Sequence, residues 1–114
     1  MNTLAKRIAS RQKELGLTTK DIATLVGVSV QAVGQWESGG TENLKHEHLF
    51  ALADVLNVSP KWLALGVGPM GELRAEDAFA RALDCREATR DQAARKVWER
   101  IAASFAKSAT FAKR

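Results

Sequence analysis

The stretch VQAVGQ, residues 30–35, carries the residues best suited to recognition chemistry. A glutamine amide offers a donor and an acceptor side by side. That pair matches the N6 and N7 edge of adenine, or gives single bonds to guanine. Gln31 and Gln35 are four apart, so on a helix they share one face. Val30 adds an apolar contact suited to a thymine methyl group, and Gly34 leaves a gap in which a helix can approach base edges. Val33 and Trp36, three apart, point together to the other side as core anchors. Competing chemistries are weaker. His46 and His48 are two apart on a helix and face different sides, a poor chelating pair. GVGPMG, residues 66–71, has GxGxxG spacing, but it follows a helix, contains Pro69 and lacks the strand that a dinucleotide site requires. It reads as a linker. Glu37 reads as an intradomain pairing or capping group, and no nucleophile–base–acid set is present. No catalytic residue, metal ligand or cofactor is therefore expected.

These residues need elements to position them. Leu4, Ala5, Ile8 and Leu15 predict a first helix over about 3–14, capped by Asn2 and ended by Gly16. Thr18, with Asp21 three residues on, makes an aspartate version of a capping box for a second helix reaching about Val26, with Ile22, Ala23, Leu25 and Val26 on its apolar face. Gly27 and Val28 form a tight connection, and Ser29 caps a third helix ending near Ser38. His48, Leu49, Ala51, Leu52, Val55 and Leu56 imply a fourth. Asn57 to Pro60 stops it and starts a fifth, with Ser59 as cap and Pro60 in the first helical position. Beyond the linker, Ala75, Ala78, Phe79, Ala82 and Leu83 form one helical stripe. Ala94, Val97, Trp98, Ile101 and Phe105 form a stronger one. Thr89 and Gln92 suggest a capping box between them, giving helices over about 73–86 and 90–107. No strand alternation is visible, so the expected fold is all-α.

Composition sets outer limits. The 114 residues suffice for one domain, or a small domain with an added element. No apolar run reaches transmembrane length, and the amino end lacks a secretory leader. A single cysteine, Cys85, fits a reducing cytoplasm, the expected location. The net charge of +4 favours an anionic partner but is unevenly placed. Residues 1–66 hold seven Lys/Arg and six Asp/Glu, a balance of +1, whereas residues 67–114 hold ten and seven, a balance of +3. Lys6, Arg7, Arg11 and Lys13 read either as a solvated face or as part of an electrostatic footprint.

The short helix, tight turn and reading helix together describe a helix-turn-helix. GLTTKDIATLVGVSVQAVGQWESG, followed by LFALADVLNVSPKWLALG, resembles the Cro/CI-type domain of phage repressors and XRE-like bacterial regulators. The resemblance covers residues 3–66 and implies a five-helix, lambda-repressor-like DNA-binding domain followed by a two-helix extension. It assigns base reading to Val30, Gln31 and Gln35. It assigns phosphate contact to Thr19, Ser29 and Ser38, and to Thr41, Asn43 and Lys45 of the following loop. Thr19 stands where relatives often carry a glutamine, and the loop lacks the proline many of them have.

The expected organisation is a domain over 1–66, a linker over 67–72 and a helical extension over 73–114. Forty-odd residues without strands cannot encode the β-rich self-cleaving domain attached to many related repressors. The extension is instead expected to dimerise the chain through Val97, Trp98, Ile101 and Phe105; packing back onto the domain is the competing use. Arg90, Arg95, Lys96 and Arg100 would solvate its outer face. The resulting expectation is a homodimeric repressor of phage or prophage type on a pseudo-palindromic operator, with no membrane partner and with release by a protein inducer or antirepressor left open. The alternative is an antitoxin-like or antirepressor-like module whose tail binds another protein.

Overall fold

Caps and left-handed residues divide the chain at the positions the sequence marks. The computed structural model describes residues 3–40 and 44–108. Among them the helices are α1 Leu4–Leu15, α2 Thr19–Val26, α3 Val30–Ser38, α4 His46–Leu56, α5 Pro60–Leu65, α6 Ala75–Ala88 and α7 Gln92–Ser108, with no strand. Thr3 caps α1, its hydroxyl accepting from the Lys6 amide at 3.2 Å; the cap expected of Asn2 lies outside the described residues. Thr18 and Asp21 complete their box, with 3.0 Å bonds in both directions. Gly27 turns the chain between α2 and α3 at φ 83, a left-handed conformation that a β-carbon would strain. Asn57, at φ 56, ends α4 in the same way.

Two compact units result, Met1–Glu72 and Leu73–Arg114. In the first, every helix contributes a side chain with essentially no exposure: Ile8, Ile22, Val33, Leu52, Leu56 and Leu63. Each such burial is worth about 1.5–3 kcal/mol. The arginines on the basic face of α1 depart from both expectations: Arg7 and Arg11 are buried, whereas Lys6 and Lys13 are exposed. Arg7 donates from Nε to the Leu63 carbonyl at 2.8 Å and from Nη2 to the Ala64 carbonyl at 3.1 Å. Arg11 donates from Nε to the Leu56 carbonyl at 3.2 Å and pairs with Glu14 and Glu72 at 3.2 and 3.5 Å. Those carbonyls belong to the last turns of α5 and α4, where backbone acceptors lack helical partners and the helix dipole is negative. Burial pushes the Arg7 pKa below its ordinary value, yet the two carbonyls stabilise the cation in place.

Residues 67–72 are fastened to the first unit. The Ser59 amide donates to the Met70 carbonyl at 2.6 Å, and Glu72 meets Arg11. Gly71, at φ 75, lies so close that a β-carbon there would sit 2.9 Å from the Ser59 Cβ.

In the second unit α6 and α7 form a hairpin across residues 89–91. The expected Thr89–Gln92 box is replaced: Thr89 ends α6, and Asp91 accepts from the Ala93 amide at 3.2 Å to start α7. Aspartate, two residues nearer the helix, supplies the stronger acceptor, so α7 begins two residues later than the sequence suggests. Ala78 and Ala82 of α6 and Ala94, Val97, Trp98, Ile101 and Ala102 of α7 are buried.

Candidate nucleic-acid interface

Two side chains hold the reading helix from behind. Val33 has no exposed surface and Trp36 retains 5 %, and both sit in the core of the first unit. The His48 ring lies 5.7 Å from that of Trp36, so one of the two histidines packs while His46 is exposed. Among the described residues no cluster of potential metal ligands forms. Behind α3, Ile22 and Ala23 of α2 are buried, the small alanine allowing the two helices to approach.

The outer side of α3 is open. Val30 is 52 % exposed, an unusual state for a valine, and Gln31 and Gln35 are exposed beside it. Gly34 lies between the glutamines, and a β-carbon on it would meet nothing within 4 Å, so the gap is real. Ser29 starts the helix with its hydroxyl accepting from the Ala32 amide at 3.1 Å, which leaves the hydroxyl proton to donate outward. One amphipathic helix thus carries its polar amides at the surface and its aromatic anchor inside.

The expected phosphate contacts are less uniform. Lys45 is exposed at the start of α4 and makes no capping bond with its side chain. The Ser38 hydroxyl donates back to the Gln35 carbonyl at 3.3 Å. The Thr19 hydroxyl donates to Glu37, 2.9 Å from each carboxylate oxygen. Its single proton is thereby committed inside the protein. Thr41 and Asn43 lie outside the described residues. Sequence reasoning foresaw an internal partner for Glu37 but did not find it, because Thr19 and Glu37 are 18 residues apart and neither type demands the other.

The stripe on α7 also has an owner within the chain. Val97, Trp98 and Ile101 are 7 or 8 % exposed, and of the four residues expected to meet a second copy only Phe105 is half-covered. No helix among the described residues is long and apolar enough to cross a membrane.

Residues 8–63 match the helix-turn-helix family model. The HTH-type transcriptional regulator DicA of Escherichia coli (strain K12) is 39 % identical over 64 residues, covering 56 % of this chain and 47 % of that protein. Repressor protein C2 of Salmonella phage P22 is 40 % identical over 68 residues, covering 58 % and 31 %. The HTH-type transcriptional regulator for conjugative element SXT of Vibrio cholerae is 30 % identical over 71 residues, covering 62 % and 32 %. The chain spans less than half the length of each of these relatives. With its buried Val33–Trp36 anchor and its exposed amide face, the amino-terminal unit belongs to the XRE-like helix-turn-helix family whose model it matches over residues 8–63.

Proposed function

We propose that the chain is a sequence-specific repressor of double-stranded DNA, of phage or prophage type, acting in the cytoplasm as a homodimer on a pseudo-palindromic operator. One observation carries the reading: Val30, Gln31 and Gln35 are exposed on one side of a helix that Val33 and Trp36 hold on the other. In this reading Gln31 and Gln35 bond to base edges in the major groove, and Val30 packs on a thymine methyl. Ser29, Lys45 and the loop containing Thr41 and Asn43 contact phosphates, with Ser38 joining them once its hydroxyl turns away from the Gln35 carbonyl; these contacts set register and supply the salt-dependent part of the affinity. Repression follows from occupancy, since a bound dimer would cover DNA that polymerase needs. The homodimer doubles the contacts on two half-sites one turn of DNA apart. That the relatives are named as regulators and a repressor supports the class of activity.

Selection from a random duplex pool with wild type and Gln31→Ala in parallel, beside sedimentation, tests this. The expected result is an inverted repeat bound by a dimer. Gln31→Ala should lose preference at one position per half-site, worth about 1–3 kcal/mol of discrimination. A monomer that enriches no motif would overturn it.

A further inference from the structure

We infer that Glu37, acting through Thr19, is a positioning residue for sequence reading. Thr19 is the first residue of α2 and Glu37 the last but one of α3. The Gly27 turn joins the end of α2 to the start of α3. The Thr19 hydroxyl, 2.9 Å from both Glu37 carboxylate oxygens, ties together the two ends that the turn leaves apart. Between these ties the helices are held by the apolar grip of Ile22 and Ala23 on α2 with Val33 and Trp36 on α3. Apolar burial has no direction, so by itself it tolerates a small roll of one helix on the other. A roll of about 10° moves a side-chain end at the rim of a helix, about 5–6 Å from its axis, by about 1 Å. That exceeds the ~0.5 Å range of a good N–H···O distance. A glutamine bonded to two atoms of one base cannot absorb such a shift.

The Thr19–Glu37 bond supplies the missing direction. Gln35 stands two residues before Glu37 on the same helix, so its amide inherits the fixed rotation with little backbone between. The carboxylate also lies beside the amino end of α2, where the helix dipole favours negative charge. A hydroxyl has one proton to give. While Thr19 gives it to Glu37, it does not give it to a phosphate, and its contribution to binding is rotational order in α3.

This inference rests on the base-reading role of the α3 face, and the experiment separates the two. Thr19→Val, which keeps the shape and removes the donor, Thr19→Ser, which restores it, Glu37→Ala and the double variant are carried through site selection with the full chain. Gln35→Ala runs beside them, and unfolding midpoints are recorded for all. Thr19→Val and Glu37→Ala are expected to flatten base preference by about tenfold, most at the position set by Gln35. The double variant should lose no more than either single change, and Thr19→Ser should recover the wild-type profile. Wild-type preferences in folded Thr19→Val would overturn the inference. So would a loss equal on all sequences together with a shallower salt dependence, which marks a phosphate contact. If Gln35→Ala alone leaves the selected motif unchanged, its base-reading role falls; a flattened Thr19→Val profile then still supports the positioning role.

Discussion

Arg7 and Lys45 are both basic, yet their surroundings give them opposite tasks. Arg7 is 5 % exposed and bonded to two helix-end carbonyls; Lys45 is exposed at the start of a helix. Arg7→Ala leaves those carbonyls without their donor and should destabilise the first unit by about 2–4 kcal/mol, as read by urea unfolding. The salt slope of binding by the molecules that remain folded should not change. Lys45→Ala should do the reverse, leaving the unfolding midpoint in place and reducing the slope of log K against log[salt] by about 0.9. The two faces of α3 were legible because helical spacing alone separates Val33 and Trp36 from Gln31 and Gln35. The arginines were not. Their partners Leu56, Leu63 and Ala64 lie 45 to 57 residues away, and basic residues on a helix are usually solvated.

The breaks between helices were the most legible part of the fold, since Gly16, Gly27, Asn57 and Ser59–Pro60 carry local conformational preferences that tertiary contacts need not override. The contacts of segment 67–72 were not legible, for the opposite reason. A glycine-rich composition resembles a tether, whereas the Ser59–Met70 bond and the close passage of Gly71 depend on where the chain lies after folding. Gly71→Ala is expected to lower stability by about 1–3 kcal/mol in thermal or urea unfolding, although it touches neither the reading face nor an expected phosphate contact. In the hairpin, Trp98→Ala removes a large buried side chain and should cost about 3–5 kcal/mol, seen as earlier loss of α6 and α7 in hydrogen exchange.

For the molecule as a whole, the proposed homodimer must find surface that the single chain has not already used. Val97, Trp98 and Ile101 are spent within the chain, leaving Phe105 half-covered on α7, while Phe50 and Leu65 are 56 and 64 % exposed in the first unit. If the extension joins the copies, Phe105→Glu should weaken the dimer at least about tenfold in sedimentation equilibrium, with Phe50→Glu near wild type. The reverse pattern would move the interface to the first unit. The arginine bonds of α1 have a consequence during synthesis. Helix α1 leaves the ribosome early, but the carbonyls that Arg7 and Arg11 require are among the last parts of that unit to be made. The hairpin needs only neighbours and can close as it emerges. A nascent chain therefore lacks both Arg7 bonds until Ala64 is clear of the ribosome, and a product ended before that point should fold less stably than the complete unit.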